Sequence, residues 1–131
     1  MDSLDRGVSY WVDIAEYDLE TAEAMLTTKR YLYVGFMCHQ AIEKLLKGYF
    51  VSALNDTPPY THNLSRLAIQ AKIYDRLNEE QKDFLDTLEP LNIEARYPTV
   101  KVTVLKSLNQ ARCEELIRKT KELSQWIKNQ L

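Results

Sequence analysis

YLYVGFMCHQAIEKLLKGYFVSAL, residues 31–54, reads as a helix that is apolar almost all round. At 3.6 residues per turn, Leu32, Gly35, Phe36, His39, Ile42, Glu43, Leu46, Tyr49, Phe50 and Ala53 share one stripe, so His39 and Glu43 interrupt an otherwise apolar seam. Val34, Met37, Cys38, Ala41, Leu45 and Gly48 form a second stripe, which leaves a narrow polar edge at Gln40, Lys44 and Lys47. A helix of this kind belongs at the centre of a bundle, or between a bundle core and a partner subunit.

Working outward, Pro58 and Pro59 end this helix region, Pro90 breaks a later one and Pro98 lies in a loop before the last. Upstream, a first helix runs from about Leu4 to about Thr27, with Val8, Trp11, Val12, Ala15, Leu19, Ala22 and Leu26 inward and Asp18 close to that face. Downstream, Thr61 or Asn63 caps a short helix carrying Leu64, Leu67, Ala68 and Ala71. A further helix starts near Asn78, with Glu80 or Gln81 in its first turn, and packs Phe84, Leu85 and Leu88. Residues 97–103 contain Pro98 and four β-branched side chains and read as extended. The last helix covers about 104–129, with Leu105, Leu108, Cys113, Leu116, Thr120, Leu123 and Ile127 at helical spacing. The expected fold is all-α, an up-and-down four-helix bundle with an additional short helix, in one domain over residues 1–131.

The net charge of −2 and a pI near 5.7 give no sign of non-specific binding to nucleic acid or anionic lipid. Acids dominate residues 1–26 and bases are frequent over 96–121, which gives either two oppositely charged faces or charges matched to helix dipoles. Cys38 and Cys113 lie on apolar faces without CxxC spacing and read as reduced core thiols. No stretch resembles a signal peptide or a membrane span, so no membrane association and a cytoplasmic location are expected.

The P-loop, dinucleotide, zinc-protease and hydrolase signatures are absent, and no cofactor is expected. His39 and Glu43, one turn apart, offer two metal ligands and His62 a third. A hydrogen-bonded structural pair is the preferred reading, since burying either group alone costs a few kcal/mol, about 1–3 each, and no metal is expected. Asp18 is expected to pair with Lys44 or Lys47. Arg96, beside Tyr97, suits either a phosphate or a carboxylate such as Glu43.

Four motifs in order then suggest a family: Trp11, Ala15, Asp18, Leu19 and Ala22; His39-Gln40-Ala41 with Glu43, Lys44 and Lys47; Thr61-His62-Asn63-Leu64; and Ala95-Arg96-Tyr97-Pro98. Together they resemble the HEPN domain over about residues 8–125. The resemblance implies a small helical bundle that commonly forms a homodimer. It also implies a minimal nucleotidyltransferase as partner, in toxin–antitoxin-like pairs, and nucleotide binding as an activity of some members. Many HEPN proteins are metal-independent ribonucleases through an Arg followed four to six residues later by a His. Arg96 is followed by no such His, and His39 comes nine residues after Arg30, so RNA cleavage is disfavoured. Two readings of the motif residues stay open. In one, Lys44, Lys47, His62, Arg96 and Tyr97 bind a ligand, with the cations on phosphates and an aromatic ring stacked on a base. In the other, Asp18, His39 and Glu43 anchor a polar network that fixes the bundle. A network closed to solvent favours the second.

Overall fold

The computed structural model describes residues 3–95 and 97–131. Arg96, the proposed phosphate contact, lies outside the described residues. Six α-helices are present, α1 (Ser3–Thr27), α2 (Tyr31–Leu54), α3 (Leu64–Gln70), α4 (Glu79–Leu88), α5 (Pro98–Lys106) and α6 (Gln110–Asn129), with no strand among the described residues.

Tight closures give the long helices their directions. At the end of α1, Arg30 N–H donates to the Met25 carbonyl (2.7 Å) and Lys29 N–H to that of Leu26 (3.0 Å), while Lys29 sits at φ 58°. This paired closure turns the chain back within three residues, so α2 runs antiparallel to α1. It needs a left-handed residue, and a lysine adopts that conformation here in place of the usual glycine. Next, Arg76 Nη1 donates to Tyr49 Oη (2.9 Å) just before α4, and the carboxylate of Glu89 just after α4 lies 3.9 Å from His39 Nε2. Helix α4 therefore runs back along α2. Finally, Lys121 pairs with Glu23 and Lys128 with Glu16, setting α6 antiparallel to α1. The four helices α1, α2, α4 and α6 make the up-and-down bundle, and α3 and α5 are inserted between its members. The acidic and basic segments of the sequence thus meet in part across the α1–α6 contact.

Helix α2 is the axis. Thirteen of its residues are buried, from Val34 to Phe50, and α1, α3, α4, α5 and α6 all pack on it. Gly48 lets α1 come close: a Cβ there would stand 3.0 Å from Trp11 Cβ. Caps define the shorter helices. Asn63 Oδ1 accepts from Arg66 N–H (2.9 Å), and Asn78 and Gln81 form a reciprocal capping box at α4.

Residues 98–106 overturn the expectation of extended structure. Pro98 occupies the first turn of α5, where its fixed φ suits a helix and its missing N–H costs nothing. The β-branched side chains cost only a few tenths of a kcal/mol each, and burial of Val104 and Leu108 outweighs that. The expected single last helix is likewise two: the chain breaks after Lys106, and Asn109 caps α6 by accepting from Arg112 N–H at 2.8 Å. Leu105, expected inward, is exposed.

Candidate functional site

The interrupted seam of α2 meets the loop that leads into α3. Glu43, 1% exposed, is the hub. Its Oε1 accepts from His62 Nδ1 at 2.8 Å and its Oε2 from Lys47 Nζ at 3.2 Å. Lys47 is itself 9% exposed, and its ammonium lies 5.6 Å from the centroid of the Trp11 ring. Placed on the polar edge by the sequence, Lys47 is instead enclosed between a carboxylate and an aromatic face, an arrangement that replaces lost hydration with charge and ring-quadrupole attraction.

One turn earlier, His39 is completely buried. Its Nε2 donates to the backbone carbonyl of His62 at 3.1 Å, and Gln40 Nε2 approaches its Nδ1 at 3.5 Å. A carbonyl only accepts, so Nε2 carries the hydrogen, and Gln40 Nε2 as a donor leaves Nδ1 the acceptor of a neutral ring. Burial is the main cause of a His39 pKa lowered to about 4, opposed by Glu43 and by the His62 carbonyl. The approach of His39 Nε2 to Glu89 Oε1 at 3.9 Å is accordingly not an ion pair. Glu89 serves the loop directly, taking the Leu64 N–H at 2.6 Å.

Lys44 occupies the more open edge. Its Nζ donates to Gln40 Oε1 at 2.9 Å and stands 3.6 Å from Asp18 Oδ2, an ion-pair distance rather than a hydrogen bond. Burial raises the Asp18 pKa, with the Lys44 charge opposing it. The polar residues of α1, α2 and the α3 loop therefore form two linked groups, Asp18–Lys44–Gln40–His39 and His39–His62–Glu43–Lys47.

Two expected ligand residues face solvent. The His62 side chain is 64% exposed although its Nδ1 is tied to Glu43, and Tyr97, before α5, is also exposed. Tyr60, two residues before His62, is fully exposed. Lys44, Lys47 and His62 share one region of the molecule, and clefts lie between α4 and α6 and beside the α1–α2 turn. No group of three or more His, Cys, Asp or Glu side chains suited to a metal ion occurs among the described residues. No described helix is long and apolar enough to cross a membrane. The thiols of Cys38 and Cys113 are buried, and burial pushes them up to about 12 and about 11.

Trp11 and Glu89 are the participants that sequence reasoning missed. Trp11 read as an inward residue of the first helix and a member of the first family motif, but its spacing to Lys47 carries no cation–π signal because the two are on different helices. Glu89 lies at a Pro90 break, which offers no hint that its carboxylate returns to Leu64.

No curated protein matches the chain. Among solved structures it is similar to TT1696 from Thermus thermophilus, with a TM-score of 0.81 and 19% identity over 95% of this chain and 98% of that one. It is also similar to ST0689, an archaeal HEPN homologue, with a TM-score of 0.64 and 21% identity over 94% and 96% of the two chains. At these identities the likeness speaks for the fold. The HEPN domain family matches residues 8–130, nearly the full length over which the four motifs are spread. The chain belongs to the HEPN domain family.

Proposed function

We propose that this HEPN protein is a binding module, a homodimer that works by docking a minimal nucleotidyltransferase in a toxin–antitoxin-like pair. The enclosure of Lys47 between Glu43 and Trp11 carries this reading. A phosphate at that ammonium would have to displace a buried carboxylate, leaving Glu43 without its cation at a cost of about 3–5 kcal/mol. Lys44 is similarly engaged by Gln40 and Asp18. What the motifs leave outward is the His62 ring and, beside it in the loop, Tyr60. An exposed aromatic beside an imidazole is a fitting anchor for a protein surface.

Calorimetric titration of the chain with its candidate nucleotidyltransferase tests the reading, with chain mass followed by light scattering. Binding that weakens at least tenfold in Tyr60→Ala, or about 1.4 kcal/mol, supports it. Absence of a complex overturns it. Thermal unfolding with millimolar ATP or GTP addresses the nucleotide alternative: ligand at about 100 times its Kd adds roughly 2.7 kcal/mol, several degrees for a domain of this size. Such a shift, abolished in Lys44→Ala, would replace docking with a nucleotide site. RNA cleavage lost on His62→Ala would replace both with a ribonuclease.

A further inference from the structure

The His62 ring is more constrained than an exposed side chain needs to be. Its Nδ1 is held at 2.8 Å by a carboxylate that is itself almost wholly buried and already has Lys47 as counter-charge. Glu43 therefore does not depend on His62 for a partner. The backbone around His62 is fixed on every side: its carbonyl accepts from buried His39, Asn63 N–H donates to Thr61 Oγ1 (3.2 Å), Asn63 caps α3, and Leu64 N–H is taken by Glu89. The side chain nevertheless keeps 64% of its surface in solvent.

A carboxylate on Nδ1 fixes the hydrogen of a neutral imidazole there and puts the lone pair on Nε2. A buried acid, an oriented ring and an outward nitrogen make an activated nucleophile or base. With 64% of the His62 side chain in solvent, this nitrogen is open to a partner that brings its own binding site. Open presentation suits a group that is loaded and carried more than a small substrate that must be held and turned over. The group that an imidazole nitrogen carries best in neutral water is phosphoryl, because its N–P bond persists there and breaks in acid, whereas N-acyl imidazoles hydrolyse.

We propose that Nε2 of His62 is a phosphoryl-acceptor site, positioned by Glu43 and presented to an enzyme that holds a phosphoanhydride donor such as a nucleoside triphosphate. The Nε2 lone pair attacks phosphorus and the N–P bond forms. The anhydride P–O bond to the terminal phosphorus breaks, and its electron pair leaves on the oxygen of the released nucleoside diphosphate. The Nδ1 hydrogen stays on the ring, where Glu43 Oε1 offsets the positive charge that the attack places on the imidazole, and Glu43 keeps its charge for Lys47. The proposal rests on the docking reading only for the protein that brings the donor.

Phosphoramidate, a small phosphoryl donor, probes the nucleophile without any partner. The intact chain should take up one phosphoryl group, lost in acid, with 31P NMR assigning it to Nε2 and peptide mass to residue 62. His62→Gln should take up none, since His39 is buried. Glu43→Gln, its fold checked by circular dichroism, should react about tenfold more slowly or worse. Attachment at Nδ1, or a rate no higher than that of an unstructured His peptide, overturns the proposal even if Glu43→Gln fails to fold.

Incubation of the complex with a nucleoside triphosphate then separates the two ideas. A gain of one phosphoryl mass at His62 supports the site as stated, whereas a gain of one nucleoside monophosphate overturns phosphoryl transfer in favour of nucleotidyl transfer to the same nitrogen. A stable complex without modification leaves docking intact and defeats the acceptor site. Phosphoramidate labelling at Nε2 without complex formation defeats docking and leaves the acceptor site standing.

Discussion

On the flank of α2 that meets α6, Cys38 lies against Thr120, and the covering residues are Cys113, Leu116, Ile117, Leu123 and Ile127. On the flank that meets α1 and the α3 loop, His39, Glu43 and Lys47 are buried just as deeply, but each is held by a directed contact. The first flank is stabilised by area and shape, which degrade gradually when atoms are removed. The second is near balance between desolvation and pairing, so removing one member strands another. One helix thus carries a tolerant seam and an intolerant one, separated by less than half a turn of its circumference.

The strongest break should come from Glu43→Ala. With Lys47 left buried and uncompensated, urea unfolding should show a loss of about 3–5 kcal/mol. Replacing both Glu43 and Lys47 with Met should recover most of it, because the charges and their desolvation cost go together. If the double variant is as unstable as the single one, the two flanks do not differ in kind.

Acid should attack the same flank next. His39 has a folded pKa of about 4 against 6.5 for the free group, so the unfolded chain binds the extra proton first. The stability tied to neutral His39 is complete above pH 6.5 and is lost as the pH falls toward 4, by about 3 kcal/mol at most. Asp18, whose pKa is raised, works in the opposite sense: it stabilises on protonation, in the window just above 3.8. Urea midpoints followed from pH 7 to pH 4.5 should therefore fall, and His39→Gln should flatten the slope.

A smaller effect is expected at the α1 contact. Gly48→Ala gains about 1 kcal/mol in helix propensity but sets a Cβ 3.0 Å from that of Trp11. Overpacking costs about 1–3 kcal/mol, so the variant should be less stable by roughly 1 kcal/mol, with tryptophan fluorescence reporting the shift of Trp11. The smallest change is expected on the tolerant flank. Ser124 Oγ is buried with no hydrogen-bond partner among the described residues, so Ser124→Ala should be neutral or stabilising by up to about 1 kcal/mol in thermal melts.

The bundle was legible because α2 shows its buried faces at helical spacing, and Asn78 with Gln81 announces the start of α4 as a capping box. Asp18 and Lys44 were recognisable as a pair because their helices had to be neighbours. Helix α5 was not legible: local propensity at Thr99, Val100, Val102 and Thr103 points to extended backbone, and the burial of Val104 and Leu108 that overrides it is a tertiary fact. The ends of α1 and α2 were legible at about Thr27 and residue 54, although Lys29 and Asn55 beyond them take left-handed conformations usually signalled by glycine. In the site, residue types pointed to a polar seam, but spacing cannot tell a solvated lysine from one closed over by an aromatic ring on the neighbouring helix.

The order of the helices along the chain also governs how the protein is made. Helix α2 is complete at Leu54, whereas α6, which covers its apolar flank, begins at Gln110. A nascent chain on the ribosome must therefore carry the α1–α2 hairpin for a long interval with one greasy flank uncovered. The charged flank is less vulnerable in that interval, because Glu43 and Lys47 are one turn apart on the same helix and need no later segment to neutralise each other. Chaperone demand during synthesis should accordingly track exposure of the Cys38 flank and end when α6 emerges.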